Sequence, residues 1–311
     1  MNSKTGYLFP AFAMKYKDFS RPRGNGHDEE VQRSLERARR IVDLDMRKFD
    51  QPDKFLLDDP LQDALQEHYV CYIDNCAIGN LLERMKIPCD YVAGYSMGIF
   101  SALQHSGAVS FEDGLHIMRN ICTFAHETVG EGTYGMGVIG GLKLDDVVGL
   151  INSHSPQVEI TDICGPHLTI ISGGRSEVEV VLDASIKAGS LQAKLLPVSL
   201  PFHSSLLKQV EGQTREMLDQ IELRAPRFGI VSCLDQTVLL TAEAAREEIV
   251  RNVTHPINWY RTMHRLLDLG VNVFLECGLS DSLCKLAGRG LKGKYTTYHF
   301  RQFDRLFNSA A

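Results

Sequence analysis

The sequence predicts an α/β fold: a large domain on a mostly parallel sheet, interrupted by a smaller domain of sheet and helices. Three observations predict it. Apolar strand-like runs alternate with amphipathic helical stretches toward both ends of the chain, as a parallel sheet with helical crossovers requires. Between residues 130 and 198 the order changes to strand, helix, two strands, helix, strand. Finally, the strand end Val92-Ala93 runs into Gly94-Tyr95-Ser96-Met97-Gly98 and then into a helical pattern, the form of a nucleophile elbow.

Taken in order, residues 6–10 (GYLFP) read as a first strand, followed by a polar loop over 20–27. Residues 30–48 read as one charged amphipathic helix whose acidic and basic residues pair at i,i+4. Long helical periodicity covers 61–86, and 90–93 is the strand before the elbow. Ser110 opens a helix over 111–128 as N-cap, with Asp113 three residues later. The insert then gives a strand at 134–140, a helix at 145–152 and strands at 158–163 and 168–172 around Gly165-Pro166. A helix at 177–188 and a strand at 192–196 complete it, which is the ferredoxin-like order. Afterwards a helix (204–223), a strand (229–232), two helices, a strand (271–276) and more helix resume the first pattern. The large domain is thus expected from 1–129 and 199–311, and the small one from 130–198.

Composition narrows the function. The 311 residues are 44% hydrophobic and 23% charged, ordinary for a soluble enzyme, and the net charge of −6 argues against non-specific nucleic-acid binding. No apolar run reaches membrane-span length, and no signal-peptide core follows residues 1–5, so a cytoplasmic protein without a membrane partner is expected. The eight cysteines include no C-x-x-C, and most lie among apolar residues, which predicts reduced core thiols and no metal site.

The chemistry centres on Ser96. Glycines on both sides let the backbone turn sharply and present the hydroxyl, while the N–H of Met97 faces a developing oxyanion at a helix N-terminus. The bland alternative is an ordinary Gly/Ser turn. The candidate base is His203 in LPVSLPFHSS, where Pro201 stiffens the approach and Ser204 caps the next helix. A packing histidine is the alternative there. The basic stretch 288–294 reads as a solvated turn, with a coenzyme A phosphate or an acidic carrier protein as the other reading. Trp259 reads as core.

These two motifs, with the insert between them, resemble the malonyl-CoA:acyl carrier protein transacylase family, which also supplies acyltransferase domains of polyketide and fatty acid synthases. GYSMG resembles that family's G-H-S-x-G, and LPVSLPFHSSLL its histidine segment. GTYGMGVIGGL (132–142), GPHLTIISG (165–173) and LECGLSDSL (275–283) are similar to further segments in the same order. The resemblance implies an α/β-hydrolase-like large domain and a two-step transfer in fatty acid or polyketide synthesis. An acyl-CoA or phosphopantetheine thioester acylates Ser96 with His203 as base, and the acyl group passes to an acyl carrier protein thiol. No tightly bound cofactor is implied. The backbone carbonyl of Asn252, in VRNVTHPINW, would orient the histidine, and the N–H of Phe12 would join that of Met97 in the oxyanion hole.

The departures bear on the substrate. The family's F-P-G-Q-G-S-Q opening reads Phe9-Pro10-Ala11-Phe12-Ala13-Met14-Lys15 here, and Tyr95 replaces the histidine before the nucleophile. Counting from Ser96, the family's malonyl-binding arginine falls on Ile121. Arg119 stands two residues away, about 200° round a helix; a structural role is expected, with substrate binding the alternative should the helix distort or the count miss a gap, and Ile121 and Tyr95 are the other substrate-binding candidates. With Ile121 in the substrate-binding pocket, a malonyl carboxylate would be buried without a partner, so a neutral acyl group is expected ahead of malonyl. The alternatives are a carrier-protein thioester hydrolase on the same pair, and a non-catalytic scaffold.

Overall fold

The computed structural model describes residues 3–11, 26–46, 59–130, 133–198 and 200–303. Two sheets organise them. The larger has the order β10-β9-β1-β2-β7-β8, from strands β1 (Lys4–Phe9), β2 (Tyr91–Gly94), β7 (Gly229–Val231), β8 (Val238–Leu239), β9 (Val271–Glu276) and β10 (Thr296–His299). Its pairings are parallel except the last, where β8 folds back antiparallel on β7.

Central strand β1 is apolar throughout its second half. Tyr7, Leu8 and Phe9 have no solvent exposure because helices cover both faces. On one face pack α1 (His27–Ala38), α2 (Pro60–Arg84), α3 (Gly98–His105) and α4 (Phe111–Val129), whose buried residues form one cluster with Tyr7 and Phe9. On the other, Leu8 and Ala93 pack with Trp259 and Met263 of α9 (Trp259–Asp268) and Leu283 of α10 (Ser282–Gly290). The helix starts follow local chemistry. Asp59 accepts from the N–H groups of Leu61 and Gln62, and Ser110 accepts from Asp113, whose carboxylate takes the Ser110 hydroxyl in return.

The second sheet has the order β4-β5-β3-β6, from β3 (Tyr134–Gly140), β4 (Glu159–Gly165), β5 (Leu168–Gly174) and β6 (Gln192–Leu195), every pair antiparallel. Helices α5 (Leu144–His154) and α6 (Arg175–Lys187) cover one face, burying Ile139, Ile151, Ile171 and Val181. This is the ferredoxin-like arrangement, with the first strand between the third and the fourth.

Three local expectations are corrected. The helix expected over 30–48 ends at Ala38, where the Ile41 and Val42 N–H groups both return to the Ala38 carbonyl and carry Val42 and Leu44 into the core. The segment 204–223 is a 3-10 turn (Ser205–Leu207) followed by a shorter helix, α7 (Val210–Leu218), which unwinds through i,i+3 bonds at Asp219, Gln220 and Ile221. Strands β8 and β10 complete the large sheet where no strand was expected. The remaining helix, α8 (Ala242–Arg251), is N-capped by Thr241.

Candidate active site

Strands β1 and β2 run side by side, Phe9 opposite Gly94, and both end at the carboxyl edge where parallel sheets gather their functional loops. At Gly94 and Gly98 the turn has no room for a side chain. A Cβ on Gly94 would stand 2.3 Å from the Ile99 nitrogen, and one on Gly98 would stand 2.1 Å from the Phe9 carbonyl oxygen. The turn closes through Gly98 N–H to Tyr95 C=O (2.8 Å) and is tied to the sheet by Tyr95 N–H to Phe9 C=O (2.9 Å). Ser96 at its apex is left-handed, with φ 52°. A non-glycine residue there stores strain that the surrounding packing must hold.

His203 approaches from a different part of the chain and is left-handed as well, with φ 61°. Its Nε2 lies 2.6 Å from Ser96 Oγ, and its Nδ1 lies 2.6 Å from the carbonyl oxygen of Asn252. Its own N–H donates to the Val253 carbonyl at 2.7 Å. The carbonyl can only accept, so Nδ1 carries the proton and Nε2 presents a lone pair to the serine hydroxyl. Both side chains are buried. Burial pushes the His203 ring down to about 4, opposed by backbone hydrogen bonding at Asn252 and His255, so the imidazole is neutral at physiological pH.

The Met97 N–H, at the start of α3, engages no backbone carbonyl among the described residues and is available to an oxyanion. Phe12, expected as the second donor, lies outside the described residues. The segment leading to it is anchored, because the Pro10 carbonyl accepts from Asn75 Nδ2 at 2.8 Å and from Cys71 Sγ at 3.3 Å. Asn75 and Cys71 escaped the sequence reading, which saw only helical periodicity in α2.

Two spaces flank the elbow, one against Met97 and one against Tyr95. The first is a niche too narrow to admit water as it stands, lined by Pro10, His68, Asn75, Met97, Ser101 and Met118 among others. Its one ionisable nitrogen base, His68, is held neutral by burial, which lowers it to about 4. Ile121, one turn beyond Met118 on α4, is fully buried in the same apolar cluster as Met97 and Phe202. Arg119 is not brought to the dyad; its guanidinium reaches the Ile41 carbonyl (3.4 Å) and His116 Nδ1 (3.2 Å). The second space, about 340 Å³, lies between the two sheets. Pro10, Ala11, Tyr95 and Leu283 line it on the side of the larger sheet together with the cations Lys285 and Arg289, and Val138 and Leu168 on the side of the smaller.

Tyr95 carries a contact that spans the domains. Its hydroxyl donates to Asp162 Oδ2 at 2.5 Å, and Cys164 Sγ donates to the same oxygen at 2.8 Å. Among the described residues no group of three or more His, Cys, Asp or Glu gathers as metal ligands, and no helix is long and apolar enough to cross a membrane.

No protein-family model matches the chain. Curated proteins do. A malonyl CoA-acyl carrier protein transacylase of Bacillus subtilis is 28% identical over 221 residues, 68% of this chain and 70% of that protein. One of Staphylococcus aureus is 25% identical over 299 residues, 93% of this chain and 94% of the relative. The acyl-carrier-protein S-malonyltransferase of Burkholderia pseudomallei superposes with a TM-score of 0.85 at 25% identity, over 98% of this chain and 99% of that one. The chain is similar in sequence to malonyl CoA-acyl carrier protein transacylases and shares the fold of solved ones. A further solved transacylase is a malonyl-transacylase in complex with its type II polyketide acyl-carrier protein. At 24% identity and a TM-score of 0.84, over 96% of each chain, it speaks to the shared fold alone. Here the two-sheet architecture and the elbow accompany an apolar residue at 121.

Proposed function

We propose that this chain is an acyltransferase that moves an acyl group from a coenzyme A or carrier thioester, through an ester on Ser96, to the phosphopantetheine thiol of an acyl carrier protein. The observation that carries the reading is the relay from Ser96 Oγ to His203 Nε2 and from His203 Nδ1 to the Asn252 carbonyl, each link 2.6 Å. As Ser96 Oγ attacks the thioester carbonyl carbon, His203 takes its proton and the Asn252 carbonyl stabilises the imidazolium. The N–H groups of Met97 and, by family resemblance, Phe12 hold the oxyanion. Collapse of the tetrahedral adduct breaks the C–S bond, and the thiolate leaves with the proton from His203. The carrier thiol reverses these steps. The names of the relatives, which specify malonyl, coenzyme A and acyl carrier protein, support this chemistry.

For the acyl group we propose a neutral one. Among the described residues neither lysine nor arginine lines the niche beside Met97, and by the resemblance Ile121 falls where the family has its carboxylate-pairing arginine; Lys285 and Arg289 line only the second space. A carboxylate desolvated there costs several kcal/mol without a partner.

Intact-protein mass spectrometry with malonyl-, acetyl-, butyryl- and octanoyl-CoA, followed by a holo carrier protein, tests both readings. Neutral acyl adducts that vanish in Ser96→Ala and pass to the carrier are expected. A malonyl adduct in preference overturns the acyl assignment. Loss of the adduct to water instead of the carrier makes the protein a hydrolase, and no adduct with any thioester makes it a scaffold.

A further inference from the structure

Asp162, on the edge strand β4 of the small sheet, is buried between its own strand and groups of the large domain. Its Oδ2 accepts from the Tyr95 hydroxyl and from Cys164. Tyr95 immediately precedes the nucleophile, and its ring meets Trp259 edge-on with centroids 5.4 Å apart. On the other side, β4 forms a parallel bridge with Ile257: Ile257 N–H donates to Thr161 C=O (3.0 Å), and Ile163 N–H to Ile257 C=O (3.2 Å). Ile257 lies five residues beyond Asn252, on the segment whose carbonyls hold His203. One short stretch of β4 therefore grips both the serine side and the histidine side of the dyad.

We propose that Asp162 is a positioning residue, which through Tyr95 and the Ile257 bridge holds the strained Ser96 turn in register with the segment that orients His203. The argument is geometric. Ser96 sits on left-handed backbone, which persists only where neighbours over-determine it. The Tyr95 hydroxyl bond is the side-chain tether on the adjoining residue, and it ends on a carboxylate, a stronger acceptor than a neutral oxygen. Burial pushes the Asp162 carboxyl up to about 6, opposed by the hydrogen bonds of Cys164, Tyr95 and backbone groups at Trp259 and Ile163. Asp162 touches neither reacting atom, so its effect is expected in the rate of attack and not in substrate affinity.

The inference rests on the Ser96–His203 dyad but not on the acyl group or the carrier. The test uses phenylmethanesulfonyl fluoride, which forms an Oγ–S bond and releases fluoride and a proton. The full-length protein, Asp162→Asn, Tyr95→Phe, the double variant and Tyr95→His are compared, with mass spectrometry following Ser96 modification. Asp162→Asn and Tyr95→Phe are expected to slow the first-order modification step roughly tenfold or more, with unchanged reagent half-saturation, since small misplacements of a nucleophile are costly. The double variant should be no slower than the worse single one, as expected for one shared contact. Tyr95→His, which still offers a donor, should recover most of the rate. Matched near-ultraviolet circular dichroism spectra separate this from unfolding. Single variants within twofold of the parent, multiplying effects, an effect confined to half-saturation, or a parent protein that is not sulfonylated on Ser96 would each overturn the proposal.

Discussion

Gly98 lies so close to the end of the first strand that a methyl group on its Cα would stand 2.1 Å from the Phe9 carbonyl oxygen and 3.0 Å from that of Pro10. Both obstacles are backbone, so they cannot swing aside. Gly98→Ala is expected to push the start of α3 off the sheet, destabilise the protein by about 1–3 kcal/mol and abolish acyl labelling of Ser96. Gly149 on α5 is the control. Nothing lies within 4 Å of its missing Cβ. Gly149→Ala should stabilise by about 0.5–1 kcal/mol and leave labelling unchanged. Thermal unfolding and adduct formation measured on both variants check the pair.

The depressed pKa of His203 fixes the direction of the pH profile. The base works only when neutral, so the rate of Ser96 acylation should fall as pH drops through the folded-state value, about 4. Above that value the ring is already deprotonated, and the rate should be flat from about pH 6 to about pH 8. Stopped-flow acylation with a neutral acyl-CoA across this range is the measurement. An inflection near the ordinary histidine value of about 6.5 would mean that water reaches the ring.

Ile121→Arg puts a fork-shaped cation into the position that, on the proposed reading, corresponds to the carboxylate-pairing arginine of the relatives. The ratio of malonyl to acetyl adduct is expected to rise by roughly tenfold or more, a shift of about 1.4 kcal/mol in relative transition-state stabilisation. Overall stability should drop, because Ile121 is fully buried in apolar surroundings. Competition between the two acyl-CoAs, read by adduct mass, decides it. An unchanged ratio in a folded variant would place Ile121 outside acyl selection.

The sequence disclosed the site's local parts better than its long-range ones. The Gly94 and Gly98 spacing is dictated within five residues by steric contact, and so could be read directly. Arg119 pointing away from Ile121 followed from helical rotation alone, and its bond to the Ile41 carbonyl fits that count. Asp162 was invisible because its partner Tyr95 is 67 residues away. The one hint was an acidic side chain inside the apolar run of β4. The 30–48 helix was over-extended because Ile41, Val42 and Leu44 continue a helical spacing, although the chain turns at Ala38 and buries Val42 and Leu44. Strands β8 and β10 are short and lie at the sheet's two ends, where pairing with one neighbour leaves little pattern to read.

The dyad is assembled from stretches that lie far apart along the chain, with the whole small sheet threaded between them. During synthesis Ser96 leaves the ribosome first, then the ferredoxin-like segment, then His203, and the Asn252 carbonyl last. Until that last segment has docked, Ser96 is an ordinary alcohol in a half-made turn, with no oriented base. Under the proposed function, a growing or truncated chain therefore lacks the oriented base that acyl loading of Ser96 requires.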